Sequence, residues 1–152
     1  MTSSSFYILR VPHIGGGAFN FGDNAGVVAG GIFVDDTRVY WNYGGPGVAG
    51  SVFSKAKSGS APATQYPNMA HNPLGILADK QRVYWITLGE SDDEPMRVDG
   101  KLLSCPIAGC TEPTLLAGGL KNGSALAQDE NTIYFAEIGA NSSGRISKVA
   151  KP

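Results

Sequence analysis

The sequence lacks any apolar run approaching the roughly 20 residues that cross a bilayer as a helix, so neither a membrane-spanning helix nor a membrane partner is expected. Charge of one sign is missing too. Twelve Lys and Arg stand against 13 Asp and Glu, for a formal net charge of -1 with no basic cluster. A nucleic-acid partner needs a positive footprint, and none is present. The familiar catalytic and phosphate-binding signatures are absent: no Gly-x-Ser-x-Gly elbow, no His-Glu-x-x-His, no Gly-Lys-Ser/Thr loop. Gly15-Gly16-Gly17 and Gly44-Gly45-Pro46-Gly47 are glycine-rich, but they lead into strand-like segments and not into the helix N-terminus that binds anions, so they read as turns. The start, Met-Thr-Ser-Ser-Ser-Phe, has neither the charged beginning nor the long apolar core of a signal peptide. A processed start would look the same, so export stays open.

What is present is repetition. Ile32-Phe-Val-Asp-Asp-Thr-Arg-Val-Tyr-Trp41 returns as Ile76-Leu-Ala-Asp-Lys-Gln-Arg-Val-Tyr-Trp85 and, more weakly, as Leu126-Ala-Gln-Asp-Glu-Asn-Thr-Ile-Tyr-Phe135, at spacings of 44 and 50 residues. Each copy reads as a hairpin: an apolar run, an Asp whose carboxylate can bond the backbone two residues on, and a β-branched and aromatic run. Asp35, Asp79 and Asp129 occupy the same place, and Tyr40, Tyr84 and Tyr134 follow five residues later. An active site is needed once, so a carboxylate in every copy reads as a turn former and not as a catalyst.

A third strand follows each hairpin. Gly50 to Lys55, Gly100 to Cys105 and Gly144 to Val149 superpose, and Phe6 to Val11 fits the same phase. Fourth strands are predicted near Ala18 to Phe21, Ala63 to Tyr66 and Thr114 to Ala117. The units fall near 6-30 (partial), 31-72, 73-123 and 124-152 of a single all-β domain, with strands predicted at 32-35, 39-43, 51-55, 76-79, 83-87, 101-105, 126-128, 133-136 and 145-149. A composition of 42% hydrophobic residues with 21 Gly and 9 Pro suits short strands joined by many turns.

Four antiparallel strands per repeat without helical periodicity is the pattern of a β-propeller blade. In its Asp-x-x-x-Val-Tyr-Trp hairpin, and in the strand opening with Gly and ending in Cys105-Pro106, the chain resembles the six-bladed TolB-like propeller repeats over nearly its whole length from Phe6. It is also similar to the Tyr-Trp-Thr-Asp propellers of lipoprotein receptors, but Tyr40-Trp-Asn-Tyr43 and Tyr84-Trp-Ile-Thr87 depart from that motif, and that family's ligands are not carried over. The resemblance implies a fold of about three blades and little about activity, since propellers host many functions. Three blades cannot close a ring. The expectation is a homodimer completing a six-bladed ring, the C-terminal strands Leu126 to Val149 being completed by the partner's strands near Phe6 to Phe21. In that arrangement Phe6–Val11 and Arg145–Val149 compete for one strand position. A fragment of a longer propeller is the alternative.

Cys105 and Cys110 flank the expected turn between strands three and four of the middle unit. A disulfide across a hairpin fits that spacing, as does a pair of reduced buried thiols; a zinc site requires His13 and His71 to converge with them. The spacing leans towards an extracytoplasmic location. The acidic run Glu90-Ser-Asp-Asp-Glu94 with Asp99 offers clustered oxygens, yet it lacks the order of a calcium loop and reads as a solvated insertion.

Blade geometry places any ligand at the end where strand two passes to three and strand four to the next blade. The residues expected there are Asp23, Asn24, Tyr43, Asn68, His71, Asn72, Asn122, Glu137 and Asn141. Amides with an aromatic suit a neutral polar ligand such as a carbohydrate, with no cofactor and no metal. The function expected is thus a non-enzymatic, lectin-like binding module. One alternative is a propeller lyase or hydrolase using His71 with Glu137, and another is a protein-protein interaction scaffold, marked by a broad apolar patch.

Overall fold

A computed structural model describes residues 6–24, 28–45, 48–59, 61–67, 72–89, 97–139 and 143–152. The protein is all-β, with thirteen strands and no helix among the described residues. They form four antiparallel sheets whose strands follow chain order. The first sheet pairs β1 (Phe6–Arg10) with β2 (Phe19–Asn24). The second runs β3 (Val28–Val34), β4 (Arg38–Gly45), β5 (Val48–Ala56), β6 (Thr64–Tyr66). The third runs β7 (Pro73–Ala78), β8 (Arg82–Thr87), β9 (Gly100–Pro106), β10 (Thr114–Leu120). The fourth holds three strands, β11 (Gly123–Gln128), β12 (Thr132–Ile138) and β13 (Gly144–Ala150). Within the single chain the Phe6–Arg10 strand pairs with β2 and the Gly144–Ala150 strand with β12. Gly44 and Gly45, read as part of a turn, instead finish β4.

The repeated Asp explains each hairpin. Asp35 Oδ1 accepts the backbone N–H groups of Thr37 and Arg38, both at 2.7 Å, and Oδ2 accepts the Tyr40 hydroxyl at 2.8 Å. Asp79 repeats this with Gln81, Arg82 and Tyr84, and Asp129 with Asn131, Thr132 and Tyr134. The carboxylate thus caps donors that a tight turn leaves unpaired and ties the turn to the returning strand. The arginine that follows in the first two copies reaches across: Arg38 Nη2 donates to Ser54 Oγ and Arg82 Nη2 to Ser104 Oγ, both at 2.9 Å.

Side-chain alternation gives every sheet two faces. On one face of the second sheet Tyr40 and Val52 pack against Ile76, Ala78, Val83, Trp85 and Leu103 of the third. On the opposite face of the third, Tyr84, Ile86 and Leu102 pack against Ile133 and Phe135 of the fourth. The tyrosine face of each sheet therefore meets the Trp or Phe face of the next. The third sheet, covered on both sides, is buried along β8 and β9. In the fourth sheet Phe135 is buried but Tyr134 is only half-buried, because no described sheet lies beyond it.

The first strands of the second, third and fourth sheets, β3, β7 and β11, run side by side, and the chain places Gly31 and Gly75 where they come closest. A Cβ on Gly31 would stand 2.6 Å from the Leu74 carbonyl oxygen, and one on Gly75 3.1 Å from that of Ser124. Polar bonds cross the same seams: Asn42 Nδ2 donates to Leu74 O at 3.4 Å and Gln128 Nε2 to Ala78 O at 2.7 Å.

The first sheet covers only part of the second. Phe21 meets Trp41 edge-on at 6.5 Å, while Lys55 Nζ donates to the Phe21 carbonyl at 3.0 Å and lies 5.3 Å from its ring centre. Trp41 is buried as a result. Ile32 and Val34 on β3, beyond the reach of this two-stranded cover, stay exposed.

Candidate functional site

The ends of β4, β8 and β12, the adjoining starts of β5, β9 and β13, and the starts of β7 and β11 lie at the end of the sheets opposite the Asp turns. Close packing joins neighbouring sheets here. A Cβ on Gly44 would stand 2.9 Å from Pro73 Cδ, and one on Gly123 3.1 Å from the Thr87 carbonyl oxygen.

Six of the nine residues nominated for this end fall within the described chain, Asp23 among them on β2 opposite Tyr7. Asn24 closes β2 opposite Phe6. Tyr43 is half-buried near the end of β4, its ring stacked on Phe53 at 5.7 Å. Asn68, His71 and Asn141 lie outside the described residues, as do Glu90 to Glu94 of the acidic run.

Asn72 and Asn122 hold a shared backbone role. Their φ angles are 56° and 44°, in the left-handed region that Asn tolerates better than most residues. The Asn72 carbonyl accepts the Leu88 N–H at 3.0 Å, just past the end of β8, and the Asn122 carbonyl accepts the N–H of Ile138, the last residue of β12, at 3.4 Å, so each begins its sheet by bonding at the end of the second strand. Their side chains are engaged as well, Asn72 Nδ2 donating to Gly89 O at 3.4 Å and Asn122 Oδ1 accepting the Arg97 N–H at 3.2 Å. A signal for this was present in the sequence. Both asparagines stand seven residues before a turn aspartate.

Glu137 is buried and fully engaged. Oε1 accepts the Lys121 N–H at 3.0 Å and Arg145 Nη2 at 3.1 Å; Oε2 accepts Arg145 Nε at 2.6 Å and the Ser147 hydroxyl at 3.2 Å. The Arg145 contact, followed by the Lys121 and Ser147 hydrogen bonds, holds its carboxyl below the usual range against the opposing effect of burial. The aspartates follow suit. Burial pushes Asp35 and Asp79 up, but the turn N–H groups and the tyrosine hydroxyls outweigh it, and both titrate below an ordinary carboxylate. Asp129 is lowered by its Asn131 and Tyr134 hydrogen bonds. Burial, then the aspartate partner, raises the Tyr40 and Tyr84 hydroxyls far above the ordinary phenol.

Cys105 and Cys110 are joined by a disulfide, with Cα atoms 5.8 Å apart. Of the readings open to the pair, this one holds, and the thiols are not available for zinc. The bridge closes the β9–β10 turn, where Gly109 adopts a φ of 106° and its N–H donates to Pro106 O at 2.9 Å. Tyr66 at the edge of the second sheet donates to Ile107 O of this turn at 2.8 Å, and its hydroxyl also meets Ser54 Oγ at 2.9 Å. Among the described residues no cluster of three or more His, Cys, Asp or Glu could hold a metal ion.

A groove of about 760 Å³ opens at the other end of the molecule, by the Asp turns, lined by Lys80, Gln81, Tyr84, Glu130, Asn131 and the C-terminal residues Ala150 to Pro152. Lys151 Nζ pairs with Asp79 Oδ2 at 3.3 Å beside it. The sequence reading missed this groove because it forms between turns of two sheets. The chain matches no protein-family model and no curated protein.

Proposed function

We propose that the chain is a set of propeller-type blades of the TolB-like kind that acts as a non-enzymatic binding module, taking a neutral polar ligand such as a carbohydrate at the end where β4–β5, β8–β9 and β12–β13 turn. One observation carries the reading. Each carboxylate with shifted acidity among the described residues, Asp35, Asp79, Asp129 and Glu137, has both oxygens engaged by donors of its own chain. Groups so held are poorly placed to carry a proton to and from a substrate. Tyr43, aromatic and half-buried beside the second-to-third-strand turn, is suited to stacking on a sugar ring.

A glycan array with the intact protein tests this, followed by titration of any hit against two variants. Binding lost in Tyr43→Ala and kept in Asn131→Ala is the expected outcome. The reverse pattern would put the ligand in the groove by the Asp turns, and no binding to neutral glycans would remove the lectin-like reading. A protein-interaction role has its own support, since Tyr7, Leu9, Val11, Ile32, Val34, Ile138 and Ile146 are exposed.

A further inference from the structure

We infer that the outer face of the fourth sheet docks on the β3 face of a second copy of this chain. The template is inside the molecule. Between the second and third sheets, Phe33, Tyr40 and Val52 close over Ile76 and Ala78, which are 8% and 3% exposed. Strand register identifies the counterparts. Tyr134 and Ile146 of the fourth sheet stand where Tyr40 and Val52 stand in the second, with Ala127 in the place of Phe33. Val52 and Leu102 are 0% exposed, whereas Ile146 is 72% exposed.

The receiving half is uncovered along β3, although Trp41 on the next strand already lies under Phe21. Ile32 and Val34 occupy in β3 the places of Ile76 and Ala78 in β7, and they are 59% and 51% exposed. One terminal sheet thus carries a bare tyrosine face, and the other end carries a bare inner strand of the kind on which such faces pack. A second copy presents both halves, so the contact runs head to tail, and a twofold axis closes two copies with both contacts made. Left open, these apolar surfaces favour aggregation.

Light scattering during size exclusion at micromolar concentration reads the outcome, with circular dichroism to verify folding. The wild type is expected at twice its 15.9 kDa mass. Both test positions are exposed, so the variants should fold. Ile146→Glu and Val34→Lys are each expected to run at the mass of one chain, and an equimolar mixture to return to the mass of two, because it restores one native contact and sets Glu against Lys in the other. A wild type at the mass of one chain overturns the proposal, as occupancy by further sequence of the same protein would. A Val34→Lys variant that stays associated while Ile146→Glu does not would also overturn it, since that pattern means two fourth sheets packing on each other.

Discussion

At the residue scale, the unit that recurs is an aspartate with two jobs. One oxygen holds the turn and the other holds a tyrosine five residues on. Tyr40→Phe should cost about 1 kcal/mol of unfolding free energy, because Asp35 Oδ2 loses its donor beside a packed sheet. Tyr134→Phe makes the same deletion at an exposed site, and the denaturant midpoint should move less. The four carboxylates also fix a pH response. In the folded state they titrate below the ordinary carboxylate range, so their stabilisation is complete above the unfolded-state range near pH 4 and is lost as pH falls further. Tyr40 and Tyr84 act in the opposite direction, since hydroxyls raised in the folded state stabilise below about pH 10 and cease to do so as pH rises beyond it. Urea midpoints measured from pH 2 to 11 should therefore show a plateau falling at both ends, and a midpoint unchanged down to pH 2 would contradict the carboxylate bonding.

At the element scale, the strands were legible in the sequence because alternation and a turn aspartate recur together. Each of the nine predicted strands overlaps an observed one, and the fourth strands are found as β2, β6 and β10, of which only β6 is short. The predictions at 32-35 and 76-79 ran one residue too far, since Asp35 and Asp79 leave the ladder to form the turn. The candidate site was less legible. Asn72 and Asn122 resemble ligand-binding amides by type, and only the backbone angles reveal that each makes a corner at the start of its sheet. Glu137 looked like a partner for His71, yet its surroundings come from Lys121, Arg145 and Ser147, three positions that no local motif connects. The disulfide stayed one of several readings for a similar reason, because spacing permits a bridge without requiring one. From loop closure alone, with cysteines five residues apart, replacing both by alanine should cost about 2 kcal/mol, to be checked by chemical denaturation. Trp85→Ala removes a fully buried side chain and should cost roughly 3–5 kcal/mol, with the cavity term included. An unaltered midpoint in that variant would refute its place in the core.

At the scale of the whole molecule, burial is graded along the chain. The third sheet is covered on both faces, the second is covered on one face and partly on the other, and the terminal sheets have an open side. Amide hydrogen exchange should follow that order, with β8 and β9 slowest and β1, β2 and β13 fastest. Uniform protection across all four sheets in a single chain would be inconsistent with this grading, whereas slowing of β13 and β3 at higher protein concentration would accompany the docking inferred above.

The strand order of each sheet simply follows the chain, and this bears on how the protein is made. An all-β fold usually forms slowly because its partners are far apart in sequence, and the closure entropy must be met before any contact forms. Here every strand pairs with its immediate neighbour, so a hairpin can close as soon as its turn aspartate and tyrosine have been synthesised. Each sheet can then assemble against the one already formed as the chain emerges from the ribosome, and refolding should outpace that of a Greek-key sandwich of equal length.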